Sequence, residues 1–230
     1  MDSNKRIAKI VGILFITATI TSSLSIWITE PIIEATNLLE AFSDKSSQIA
    51  VAGLLMLVDA ISVAFIAILL FPILKKKSES LALGYVGMRI MEGILFAAYV
   101  AVLLTVLFIS KEYSASNVQE VSNFKPIGQS FLILAEWTFD IGLGIVFAIS
   151  AMILNYLLFR FALVPRWLSA WGFLGALVTM TIVLLKFYDI QVTEALDFII
   201  GIQEMVFAVW LIVKGFRESA IVSAQVKTDT

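Results

Sequence analysis

The residues best suited to chemistry in this sequence are charged side chains inside long apolar stretches. Arg89 and Glu92 stand three positions apart in the apolar stretch from residue 81 to residue 109. Five further carboxylates lie within the apolar stretches, and Arg89 is the one basic residue that opposes these six acidic groups. The five are Asp59, Glu136, Asp140, Asp197 and Glu204.

Burying these charges in lipid would be costly. A charged side chain at the centre of a membrane helix costs about 2.5–3.5 kcal/mol on insertion scales. Seven such groups facing lipid would cost roughly 20 kcal/mol, which exceeds a net folding stability of about 10 kcal/mol. The seven groups must therefore face a bundle interior or water, share protons, or bind a cation.

Helical spacing places several of these groups on shared faces. Residues three or four positions apart lie on the same side of an α-helix, which applies to Arg89 with Glu92 and to Glu136 with Asp140. Four different stretches also offer carboxylates at similar depth. We therefore expect one polar cavity between them. Its predicted residues are Arg89, Glu92, Glu136, Asp140, Glu204 and Asp59.

Three other residues take a secondary place at this predicted cavity. Tyr99 extends the helix face of Arg89 and Glu92. Gln203 is of a type that hydrogen-bonds between membrane helices. Asp197 lies two turns from Glu204, although its position near the end of an apolar stretch would also allow simple solvation.

Structural interpretations of the same charges stay open. Arg89 with Glu92, or with Glu136, would serve as a pair that holds helices together. Asp59 would be accommodated if it were protonated and bonded to a hydroxyl such as that of Ser62. One pair would suffice for such a role, however, and an excess of negative charge repels itself.

Composition excludes several classes of protein. Hydrophobic residues make up 60% of the 230 residues, and the chain has neither Cys nor His. Soluble domains are about 45–50% apolar, so the excess indicates a lipid environment. The lack of Cys and His excludes disulfides, imidazole metal ligands and a Ser-His-Asp triad. A net charge of -2 does not favour a nucleic-acid partner.

The predicted fold is an all-α transmembrane bundle of six helices in a single domain over residues 1–222. A span requires about 20 apolar residues, and six stretches are long enough or nearly so. Apolar residues at helical spacing between residues 30 and 48 predict a short amphipathic helix in the first outer loop. Residues 223–230 are expected to form a disordered cytoplasmic tail. The predicted spans are 7–28, 49–74, 81–109, 127–159, 167–187 and 196–213.

The distribution of basic residues predicts the orientation of the bundle. Eleven Lys and Arg residues fall at the two termini and in the turns on the same side, against four in the opposite loops. Positive residues favour the cytoplasm, so both termini are predicted to be cytoplasmic. The outer loops are rich in carboxylates, which would favour the approach of cations.

Three functions are compatible with this arrangement. The leading one is binding, and in addition transport, of a small cation, proton or small polar molecule. The alternatives are a membrane enzyme using Glu and Asp as acid and base on a lipid or isoprenoid substrate, and a non-catalytic sensor or accessory subunit. No cofactor is predicted, although carboxylate oxygens would suit a hard divalent cation such as Mg²⁺, Ca²⁺ or Mn²⁺.

Four segments carry a resemblance to a known family. They are Lys5–Gly12, Arg89–Gly93, Leu163–Gly172 and Ile202–Phe216. In these segments, and over nearly the whole chain, the sequence resembles the domain-of-unknown-function 4386 family of bacterial membrane proteins. The resemblance implies a multi-pass protein of the bacterial inner membrane whose immediate partner is the lipid bilayer. It implies no activity, substrate or catalytic residue.

Overall fold

The structure, a computed structural model, describes residues 3–116, 121–190, 192 and 198–217. These residues form helices joined by short connections, and none of them lies in a strand. Helices satisfy their own backbone hydrogen bonds, which lipid would otherwise leave unpaired. The elements are α1 Ser3–Ile33, α2 Leu38–Asp44, α3 Ser46–Lys75, α4 Glu79–Ala115, α5 Val121–Asp140, a π-helical segment Ile141–Phe147, α6 Ala148–Arg160, α7 Arg166–Lys186 and α8 Phe198–Val213.

Within the described residues, five helical stretches are long and apolar enough to cross a membrane. The predicted sixth span corresponds to a shorter apolar helix, Ile199–Val213. Its predicted first residues, including Asp197, lie outside the described part of the chain, as does the tail at 223–230. The five stretches are Asn4–Ile33, Ser46–Lys75, Glu79–Ala115, Phe124–Arg160 and Arg166–Lys186.

The first outer connection differs from its predicted form. The first helix does not end near residue 28 but continues through Pro31 to Ile33. The expected amphipathic helix is consequently reduced to the seven residues of α2. Leu39 and Phe42 are its buried residues, and Phe42 joins the apolar interior. The apolar spacing that we assigned to one helix is therefore divided between the end of α1 and α2.

The fourth predicted span is one long helical run with a change of winding near its middle. The π-helical segment contains Gly142 and Gly144. A Cβ atom on Gly144 would collide with the side chain of Val183 in α7. The glycine therefore permits close contact between this segment and α7, and the wider π turn changes which side chains face the bundle interior.

Packing places the centre of α4 between two apolar clusters. One cluster includes Tyr85 together with residues from the first half of α1 and the second half of α3. The other includes Phe96 and Tyr99 together with residues from the first half of α3. Along α4, Arg89 and Glu92 lie between Tyr85 of one cluster and Phe96 of the other, and Asp59 of α3 lines the same cavity as this pair. Charged groups from neighbouring helices thus meet where the apolar packing is interrupted.

Candidate functional site

Helix α4 positions the pair at the centre of the site. Arg89 and Glu92 lie one turn apart on its buried face, and both side chains are 2% exposed. Arg89 Nη1 donates to Glu92 Oε1 at 3.1 Å and lies 3.3 Å from Glu92 Oε2. The predicted contact between these two residues is present and fully enclosed by protein.

Helix α8 supplies a second carboxylate to the same guanidinium group. Arg89 Nη2 donates to Glu204 Oε1 at 3.4 Å, so one cation joins residues 115 positions apart. The Glu204 side chain is 18% exposed, unlike that of Glu92. Arg89 therefore connects two helices through Glu204, and the partner helix is α8 rather than the helix of Glu136.

Helix α3 contributes the third carboxylate. Asp59 is 3% exposed and interacts electrostatically with Glu92, Arg89 and Glu204. It makes no hydrogen bond or ion pair with the other residues that the structure describes. Ser62, which we had considered as its partner, donates to the carbonyl oxygen of Val58 at 2.7 Å instead. Asp59 therefore presents a buried and unpartnered carboxyl group to the site.

Aromatic rings surround the guanidinium group of Arg89. Its Cζ lies 5.1 Å from the ring centre of Phe147 and 5.7 Å from those of Phe15 and Tyr85. The faces of such rings attract cations. Arg89 Nε and the Tyr85 hydroxyl are buried without a hydrogen-bond partner among the described residues. Packing and ion pairing thus hold Arg89 in place and leave it little freedom to move.

These charges border a cavity of about 220 Å³, which we call the central cavity. Its walls are mainly apolar, and α1 adds the hydroxyl groups of Thr19, Ser22 and Ser23. Ser23 and Ile26 at its edge are exposed, so the cavity opens beside the second half of α1. The side chains that argue for a ligand site are Asp59, Arg89, Glu92, Glu204, Phe139 and Phe147.

The hydroxyl groups of α1 divide between two roles. Thr17, Thr21 and Ser22 donate to carbonyl oxygens one turn earlier in the same helix, as expected for hydroxyls in lipid. Ser25 instead donates to the carbonyl oxygen of Ala52 in α3 at 2.9 Å. The hydroxyl-rich half of α1 therefore both packs against α3 and provides part of the wall of the central cavity.

The prediction of a single shared cavity is wrong for Glu136 and Asp140. Both line a separate pocket of about 380 Å³, which we call the peripheral pocket. There Lys186 Nζ lies 3.2 Å from Asp140 Oδ1. The physical reason is the position of Phe139, whose ring packs 5.7 Å from Phe96 and 5.3 Å from Tyr99. The aromatic side chain, rather than its acidic neighbours, faces the central cavity.

The three residues with a secondary place in the predicted cavity also lie in different surroundings. Tyr99 packs in the apolar cluster beside Phe139 and does not line the central cavity. Gln203 Nε2 donates to the carbonyl oxygen of Leu168 at 3.2 Å, which confirms the expected bond between helices. Asp197 lies outside the described residues. Among the described residues, no group of three or more metal-ligand side chains stands at metal-binding distance.

Two features of the sequence could have identified residues that we missed. Asp140 and Lys186 lie equally far from Leu163 in the turn between α6 and α7. In an antiparallel helix pair, such positions lie at similar depth and can meet across the two helices. Phe147 follows Phe139 by eight positions, about two helical turns, so both rings were candidates for one face.

The fold and this site define the protein as an α-helical protein of the membrane-spanning type with a buried, charged cavity. The chain belongs to the family described as Domain of unknown function (DUF4386), which it matches over residues 10–215. The resemblance of the four sequence segments is thereby confirmed over most of the chain. Comparisons with curated proteins and with solved structures gave no match.

Proposed function

We propose that this protein binds a proton or small cation in the central cavity and carries it across the bacterial cytoplasmic membrane. The supporting observation is the unpartnered Asp59 beside an Arg89 that is already engaged by Glu92 and Glu204. Two carboxyl groups share one guanidinium and a third has no partner among the described residues, so the cavity holds more acidic groups than its own cation can neutralise. A bound cation or proton would restore the balance.

In the proposed topology the chain has six spans and both termini in the cytoplasm. Five long apolar helices support this arrangement, together with the shorter helix Ile199–Val213. The excess of Lys and Arg at the termini and the adjoining turns supports the orientation. The open side of the central cavity, beside Ser23 and Ile26, would then lie in the outer half of the membrane, because α1 would run outward.

An enzyme acting on a lipid or isoprenoid substrate is the second candidate. The observation that favours it is that carboxyl groups and the rings of Phe139 and Phe147 line one cavity. A carboxylic acid can protonate a substrate, and aromatic faces can stabilise the resulting cation. Such an enzyme would yield a new lipid product detectable by mass spectrometry, whereas a carrier would not.

Transport is tested in proteoliposomes that contain a pH-sensitive dye and carry an imposed pH gradient. We expect proton flux in the native protein and its loss in Asp59→Asn, since the amide cannot take up a proton. Glu112→Gln serves as the matched control, because it neutralises an exposed carboxylate on α4, the helix that carries Arg89. Equal flux in the native protein and Asp59→Asn, or no flux under proton, Na⁺, K⁺ or Mg²⁺ gradients, would contradict the proposal.

A further inference from the structure

The walls of the central cavity restrict the kind of cation that it can accommodate. Beyond its charged residues, the cavity is lined largely by Phe, Leu, Ile and Val side chains. A hard metal ion requires six or more oxygen ligands, or retained water, in place of its hydration shell. The apolar walls provide no oxygen ligands, so a metal ion would have to keep most of its hydration water, and the described residues hold no metal-ligand cluster. An inorganic divalent cation is therefore poorly matched to this environment.

An organic cation would interact favourably with the same apolar and aromatic walls. The rings of Phe96, Phe139 and Phe147 all contribute to the lining. Aromatic faces attract ammonium groups, and apolar surfaces gain free energy when they bury hydrocarbon. A ligand with a charged nitrogen and a small apolar body would therefore satisfy both the carboxyl groups and the rings.

The positions of the acidic groups indicate where the nitrogen would bind. Glu92 already accepts from Arg89 through both oxygens, which leaves Asp59 and Glu204 as the more available groups. Glu204 is held by one long contact of 3.4 Å and is partly exposed. Asp59 has no partner among the described residues. Asp59, which has no other partner in the described part of the chain, is therefore the position for the ammonium nitrogen, and Glu204 of α8 lines the same cavity.

The size of the cavity and its opening limit the ligand further. A volume of about 220 Å³ corresponds to about seven water molecules, since each occupies roughly 30 Å³ of liquid water. That space suits a small amine such as butylamine or benzylamine rather than a long lipid. The hydroxyls of Thr19, Ser22 and Ser23 would provide polar contacts for the ligand during entry.

We propose that the ligand of the central cavity is a small organic ammonium ion, with its nitrogen at Asp59 and its apolar body against the phenylalanine rings. This inference rests on the proposed function, because it names the cation that the same cavity binds and carries. The inference predicts that the cavity selects ligands that combine a positive charge with an apolar body. Neither a metal ion nor a neutral molecule of the same shape would bind as well.

The test is titration calorimetry of the full-length protein in lipid nanodiscs with benzylamine at neutral pH, where the amine is protonated. Benzyl alcohol is the neutral analogue, and Na⁺ and Mg²⁺ are the inorganic probes. We expect benzylamine to bind at least about ten-fold more tightly than benzyl alcohol or Na⁺. Asp59→Asn should weaken benzylamine binding about ten-fold or more, whereas Glu112→Gln should leave it unchanged.

A second variant keeps the test informative if Asp59→Asn does not fold. Ser23 is exposed at the edge of the cavity, so Ser23→Trp should preserve the fold while it obstructs the opening. We expect reduced benzylamine binding in Ser23→Trp, with a melting temperature close to that of the native protein. Unchanged affinity in every folded variant at these two positions would overturn the assignment of the site.

The other outcomes separate this inference from the proposed function. Equal affinity for benzyl alcohol and benzylamine would overturn the organic ammonium as ligand class, as would tighter binding of Na⁺ or Mg²⁺. Proton flux that depends on Asp59, without any benzylamine binding, would overturn this inference and leave the proposed function intact. Benzylamine binding without flux of any tested ion would support the ligand class and overturn transport of these ions.

Discussion

The central cavity and the peripheral pocket contain similar charged residues but enclose them differently. In the central cavity, Arg89 and Glu92 are each 2% exposed, and aromatic rings surround the cation. In the peripheral pocket, Lys186 is 39% exposed and Asp140 is 21% exposed. A buried pair loses most of its hydration, whereas a partly exposed pair keeps water and is screened by salt.

This difference shows that spacing along a helix does not decide the role of a carboxylate. Glu136 and Asp140 have the helical spacing that suggested a shared site, just as Arg89 and Glu92 do. Their surroundings differ because α7 provides Lys186 to one site, while α8 provides Glu204 to the other. The neighbouring helix, rather than the local sequence, determines whether a carboxylate is compensated, solvated or left available to a ligand.

The largest expected effect comes from removing the buried cation. Arg89→Leu should lower the free energy of unfolding by about 3–5 kcal/mol, because Glu92 would stay buried without its partner. Denaturant unfolding in detergent micelles measures the change. Replacing Arg89 and Glu92 by Leu together should recover part of the loss, since no uncompensated charge remains at this pair. A loss below about 1 kcal/mol in Arg89→Leu would show that the Arg89–Glu92 pair stabilises the protein no more than an ordinary exposed ion pair does.

An intermediate effect is expected at the segment between the two sites. Gly144→Ala would bring a Cβ against Val183 of α7. Overpacking of this kind costs about 1–3 kcal/mol, which the same unfolding measurement would detect. Adding Val183→Ala should restore part of the stability, because it removes the two methyl groups of Val183 but keeps its Cβ, which would still lie close to the new Cβ. If Gly144→Ala is neutral, the π-helical segment does not require close contact with α7 at this position.

The smallest effect is expected in the peripheral pocket. Lys186→Met should change the free energy of unfolding by about 0–1 kcal/mol, because its partly exposed pair with Asp140 gains little over hydration. The effect should become smaller still in high salt, whereas that of Arg89→Leu should persist. Unfolding curves at low and high salt test both statements. Losses of equal size in Lys186→Met and Arg89→Leu would remove the distinction between the two sites.

Much of the helical framework could be predicted from hydrophobicity. A long apolar run must satisfy its backbone hydrogen bonds internally in lipid, so it is helical whatever its neighbours are. This reasoning located α3, α4, α7 and the long run that contains α5 and α6. It did not locate the end of α1, because polar residues near a membrane surface are compatible with both helix and loop. Pro31 belongs to the stretch that we assigned to the first outer loop, but it lies inside α1, near the end of that helix.

The candidate site was predictable in part. The cost of burying charge identified Arg89 and Glu92 as groups that face protein, and both lie in the bundle interior. The same reasoning selected Asp59 and Glu204 without indicating which groups would pair. It could not assign Glu136 and Asp140, because a carboxylate near mid-span can be accommodated equally by an interior cavity or by a lysine from an adjacent helix.

The amino-acid sequence thus carries the helical nature of the chain, its membrane character and the identity of its buried charges. These properties follow from contributions to the free energy that each residue makes within its own segment. They are the hydrophobicity of each residue, the hydrogen bonds of the backbone and the desolvation of ionised groups. Tertiary packing divides the five described carboxylates between the two sites. This division depends on helix rotation, on the wider turn at Gly142 and Gly144, and on which cation a distant segment brings within about 4 Å.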